Sequence, residues 1–172
     1  MEKIIFEDLP STKTPINSIN LNQLQNNIEY EITKKYIQLG IKENINIDTT
    51  YKNIIFDDIK QDGDLFIVNE DGSIKIKSGV ENGKLKIHFH SNIGGNGINA
   101  VSNINITIYK NGEEFIIMNG GLSTPSDRTL LNTDVITDYS SGDIFFVRTL
   151  TNENSVQALA SYYRTLLILE KI

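Results

Sequence analysis

The spacing of apolar and polar positions changes near residue 40. Between residues 21 and 39 the apolar side chains fall at Leu21, Leu24, Ile28, Ile32, Tyr36 and Leu39. At the 100° step of an α-helix they share a stripe about 120° wide. The spacing predicts an amphipathic helix of about 20 residues, with Ser18 or Asn20 as N-cap and Gly40 as the stop. An even step of 3.5 from Leu21 lands on Glu31 and Lys35, so the stripe follows an ordinary helix better than a heptad seam. Such a helix either packs on its own domain or joins copies from other subunits in a short parallel bundle. Ahead of it, Pro10 and Pro15 bracket residues 11–14 and disfavour helix there, so an extended arm is expected.

From Ile45 onward the pattern is that of short strands. Apolar or alternating runs at 53–59, 65–68, 73–78, 84–91, 103–109, 114–118, 129–137, 143–150 and 163–171 are separated by turn residues. Ile74 and Ile76 alternate with Lys75 and Lys77. Leu85, Ile87 and Phe89 alternate with Lys86, His88 and His90. Glu70-Asp71-Gly72 reads as a turn, and Asn82-Gly83 and Asn111-Gly112 read as hairpin turns. Residues 92–99 read as a Gly/Asn loop. Eight to ten short strands spaced about ten residues apart predict an all-β sandwich, barrel or jelly roll. Two runs, Ile144-Phe145-Phe146-Val147 and Leu166-Leu167-Ile168-Leu169, do not alternate. A continuous apolar strand is expected where both faces are covered. In a two-layer sandwich a neighbouring subunit, or a loop of the same chain, would supply the second cover.

Composition narrows the chemistry. The 172 residues include 22 acidic and 16 basic side chains, two His, and neither Cys nor Trp. Without Cys there is no disulfide framework, zinc ribbon or thiol nucleophile. A net charge of −6 argues against a nucleic-acid partner, whose footprint is basic. No apolar run reaches the roughly 18 residues that span a bilayer, and the N-terminus lacks the features of a signal peptide. The 20 Asn and 28 Ile residues fit turns and strands. Nucleophile elbows, phosphate loops and metal-binding helix motifs are absent. The acidic stretch Asp57, Asp58, Asp62, Asp64, Glu70 and Asp71 does not follow the calcium-loop pattern and reads as a solvated face. No cofactor is expected.

Two sets of residues carry resemblances. One set begins with Asp71-Gly72-Ser73-Ile74-Lys75-Ile76, Gly79-Val80 and the alternating run 84–90. It continues with Tyr109-Lys110-Asn111-Gly112 and Ser141-Gly142-Asp143-Ile144-Phe145-Phe146-Val147. It closes on Tyr162-Tyr163-Arg164-Thr165-Leu166-Leu167-Ile168-Leu169. In that order these segments resemble the trimeric jelly rolls of the tumour-necrosis-factor and complement-globular-head type. The other set is Ile5-Phe6-Glu7-Asp8-Leu9-Pro10, Thr14-Pro15-Ile16-Asn17 and Leu21-Asn22-Gln23-Leu24-Gln25-Asn26. It resembles the opening of small structural proteins of tailed bacteriophages. Together they imply a mainly β chain. Residues 1–42 would form an anchoring arm and trimerising helix, and residues 43–172 a ten-strand-type jelly-roll sandwich head. The implied function is a non-enzymatic, homotrimeric virion protein, a fibre or receptor-binding tip. It would assemble in the host cytoplasm and bind another virion protein or a host-surface carbohydrate. A bacterial trimeric surface adhesin or spore-surface module is the alternative, with a cell-wall polysaccharide depolymerase behind it.

Candidate residues follow. His88 and His90, at i and i+2 of a strand, project from one face, opposite Leu85, Ile87 and Phe89. In the resembling architecture that face looks toward the threefold axis. The two imidazoles are therefore expected at a trimer interface, hydrogen-bonded between subunits or holding a transition metal, with plainly exposed histidines as the remaining reading. Tyr163 and Leu167 of the last strand, with Leu21, Leu24, Ile28 and Ile32 of the helix, are the further interface candidates. Asp127, Arg128 and Tyr139 are expected in loops, where recognition groups concentrate.

Overall fold

The computed structural model describes residues 21–26, 28, 36–61, 64–95, 101–124, 128–152, 156–160 and 164–172. Thirteen strands run along them: β1 (Tyr36–Gly40), β2 (Ile45–Ile47), β3 (Lys52–Asn53), β4 (Asp58–Gln61), β5 (Phe66–Val68), β6 (Ile74–Ile76), β7 (Gly83–Gly95), β8 (Val101–Lys110), β9 (Glu113–Leu122), β10 (Arg128–Tyr139), β11 (Ile144–Thr151), β12 (Val156–Ala158) and β13 (Thr165–Lys171). They form two antiparallel sheets packed as a jelly-roll sandwich. In the first sheet the order β4-β1-β13-β7 is completed by β10 on the free edge of β7, and β12 continues from the end of β13 along β7 and carries β2. In the second sheet the order is β5-β6-β11-β8-β9, with β3 beside β11.

Alternation builds the core. On β7, Leu85, Ile87 and Phe89 face inward and are fully buried. They meet Ile104, Ile106 and Ile108 of β8 and Phe145 and Val147 of β11 in one hydrophobic cluster. The last strand lies in the middle of the first sheet, between β1 and β7. Its polar entry is satisfied inside: Ser91 Oγ and Thr165 Oγ1 lie 3.0 Å apart, and the Thr165 hydroxyl donates to the Leu159 carbonyl at 2.9 Å.

Turn chemistry fixes the connections. Asn111 and Gly112 have φ of 54° and 89°, the left-handed pair that a two-residue hairpin requires, and they join β8 to β9. Gly72 has φ of 82° in the turn between β5 and β6. A Cβ there would stand 2.4 Å from the Ile54 carbonyl oxygen, so only glycine fits.

Several expectations are corrected. The helix stripe runs through Tyr36 and Leu39, but helix is seen over residues 21–26 and at 28, and Tyr36–Gly40 is strand β1, hydrogen-bonded to β13. The head therefore begins by Tyr36, and a boundary at residue 42 would cut its sheet. Asn82-Gly83 is not a hairpin. The strands on either side, β6 and β7, belong to different sheets, and Gly83 already pairs with Tyr139. Residues 92–94, expected in a loop, continue β7. β2 and β12 were not foreseen.

Candidate functional site

The outward face of the first sheet collects most of the candidate side chains. His88 and His90 point away from the core, as their alternation predicts. His88 pairs with Asp134 on β10 and Ile168 on β13, and His90 pairs with Asn132 and Leu166. His88 Nδ1 lies 2.9 Å from Asp134 Oδ1, and His88 Nε2 lies 3.3 Å from His90 Nδ1. The two rings meet edge to face. The result is an Asp134–His88–His90 chain on one face. Along the same face Leu130 is 53% and Ile136 57% exposed, both on the outward side of β10. Lys84, Lys86, Asp138 and Glu170 share that face toward its other end, where Lys84 reaches Asp138 at 3.3 Å.

Leu167 does not belong to this face. It pairs with Phe89, is 1% exposed and sits in the core. Its neighbours Leu166 and Ile168 carry the outward positions. Tyr139 is likewise 1% exposed. It ends β10 with its ring 3.2 Å from the place a Gly83 Cβ would occupy, so it is a core residue and not a loop recognition group. Among the described residues its hydroxyl has no hydrogen-bond partner. Arg128 is exposed at the start of β10. Leu21 is half-buried, and Leu24 and Ile28 are exposed. Asp127, Tyr163 and Ile32 lie outside the described residues.

A second cluster, on the outward face of the second sheet, carried no sequence signal. Tyr109 and Phe146 pair across β8 and β11 and stack with centroids 4.9 Å apart. The Arg148 guanidinium lies over both rings at 5.0 and 4.7 Å, and its Nε donates to Asn53 Oδ1 at 3.1 Å. The Tyr109 hydroxyl donates to Glu114 at 3.1 Å. Burial, and then Glu114 through its hydrogen bond and charge, raise the Tyr109 phenol above its ordinary value, with Arg148 opposing. Here Arg148 covers the stacked rings as a cation–π lid.

Among the described residues no group of three His, Asp or Glu side chains is arranged to hold a metal ion. Among them, too, no helix is long and apolar enough to cross a membrane.

No protein-family model matches the chain, and no curated protein matches its sequence. Solved structures do match. Murine APRIL at pH 5.0 superposes with a TM-score of 0.59 at 11% identity, over 80% of this chain and 98% of that one. The Eiger TNF of S. frugiperda gives 0.60 at 9% identity, over 80% and 92%. The globular domain of zebrafish complement 1qA gives 0.53 at 11% identity, over 79% and 94%. The chain thus has the jelly-roll fold of the tumour-necrosis-factor and complement-head class, as the residue pattern implied. At these identities the likeness is one of fold.

Proposed function

We propose that the chain is a non-enzymatic structural protein of a tailed-bacteriophage virion, assembled as a homotrimer through the outward face of the first sheet. In this reading residues up to about 35 anchor it, and the jelly-roll head, from Tyr36, is presented outward to bind a host-surface glycan or a neighbouring virion protein. One observation carries the assembly: Leu130 and Ile136 stand more than half exposed beside His88, His90 and Ile168 on a single sheet face. Aliphatic exposure along one sheet face supports a protein interface there. The virion assignment is supported by the residue pattern of the N-terminal arm, from Ile5 to Asn26. The reading has no catalytic step.

Gold-labelled antibody to the head, viewed by electron microscopy on particles from an infected lysate, tests the assignment. Label at one fixed position on tailed particles is expected. Bare particles, with the antigen confined to host fractions, would overturn it.

A further inference from the structure

Two imidazole nitrogens facing each other at 3.3 Å cannot both present bare lone pairs: one carries an N–H that donates to the other, or a metal ion lies between them. With His88 Nδ1–H donating to Asp134, the lone pair of His88 sits on Nε2, aimed at His90 Nδ1. Either a proton on His90 Nδ1 bridges the gap, or His90 carries its proton on Nε2 and a metal ion bridges instead. The distance accommodates either the hydrogen bond or a metal ion. Zinc–imidazole bonds are about 2.0–2.1 Å long, so nitrogens 3.3 Å apart subtend about 105–110° at the ion, the tetrahedral angle. To reach such an ion each ring turns its lone pair off the nitrogen–nitrogen line by about 35°, a modest side-chain rotation. Asp134 supplies what a metal-bound histidine normally has, a carboxylate accepting its other N–H, at 2.9 Å, which fixes tautomer and orientation.

The geometry points to a divalent transition-metal site, zinc being the best fit, with His88 Nε2 and His90 Nδ1 as ligands and Asp134 as positioning residue. Neutral imidazoles and a tetrahedral angle select zinc over calcium or magnesium, which take oxygen ligands. One chain supplies two ligands. Water, or the same histidines of adjacent subunits, completes the set. The two-nitrogen bite lies within a single chain, so the inference goes beyond the trimer reading and does not depend on it.

The test is titration of the full chain, stripped with a chelator, with zinc chloride, and with cobalt(II) as an absorbing reporter. Saturable uptake of one zinc per chain, or one per three chains where subunits share it, is expected. His90→Gln should abolish uptake. Asp134→Asn, at a 58% exposed side chain, should fold normally and lower affinity about 10- to 100-fold. A wild-type chain that takes up no zinc overturns the proposal, as does uptake unchanged in His90→Gln or in Asp134→Asn. Circular dichroism confirms that each variant is folded. Light scattering on the same samples separates the two readings. A monomer that binds zinc through His90 keeps this site and removes the trimer, and a trimer that binds none does the reverse.

Discussion

Asn111 shows how much one side chain can organise. Its left-handed backbone closes the β8–β9 hairpin, while its side chain reaches the neighbouring turn. Nδ2 donates to Asp143 Oδ1 at 2.8 Å, and Oδ1 accepts from the Ile144 N–H at 2.9 Å. Asp143 Oδ2 also accepts from the Ser140 N–H at 2.9 Å and meets Lys110 at 3.1 Å. Burial pushes the Asp143 carboxyl up, but Asn111, Ser140 and Lys110 together outweigh it and hold it below its ordinary value. A depressed folded value means that these bonds contribute fully above the unfolded value, about 3.9, and are lost as pH falls through the lower folded one. Asp143→Asn should therefore lower stability at pH 6 and shrink its fall between pH 5 and 2, read from urea midpoints at each pH. Gly72→Ala meets both a positive φ and the Ile54 carbonyl and should cost about 3 kcal/mol or more, measured by the same unfolding experiment. A cost under about 1 kcal/mol would mean that the turn can reshape.

At the scale of elements, parity separates stability from assembly. Leu167 and its neighbour Ile168 differ by one position and one sheet face. Leu167→Ala removes a core side chain and should cost about 2–5 kcal/mol. Ile136→Glu changes an exposed position and should dissociate the assembly, as seen by gel filtration, while the circular dichroism spectrum stays that of the folded chain. An Ile136→Glu protein of unaltered size would remove β10 from the interface. Where residues alternate, the sequence was legible: Leu85, Ile87 and Phe89 inward and His88 and His90 outward follow from period two alone. In Leu166-Leu167-Ile168-Leu169 every position is apolar, so parity has no signal, and only the pairing of Leu167 with Phe89 reveals which residues face the core. β1 was misread for a related reason. Tyr36 and Leu39 fit a helical step, but Ile37 fell off that stripe, and Ile37 with Leu39 is the inward pair of a strand. The Arg148 lid was illegible because it depends on the register that sets Phe146 opposite Tyr109.

At the scale of the whole molecule, the fold was accessible from sequence because turns and alternation repeat along most of the chain, whereas assembly is a property of one face. The missing cysteines fit a protein stabilised by burial instead of cross-links. Three chains of net charge −6 would carry about −18, which keeps the assembly soluble and repels anionic partners. Leu130, Ile136, Ile168 and the histidine pair would then leave water together, and the charged Lys84, Lys86, Asp138 and Glu170 would form a rim. The mass in solution tests this most directly. Light scattering on the purified full chain should give three times the 19.4 kDa of one chain at micromolar concentration. A particle of 19.4 kDa under the same conditions would contradict the account.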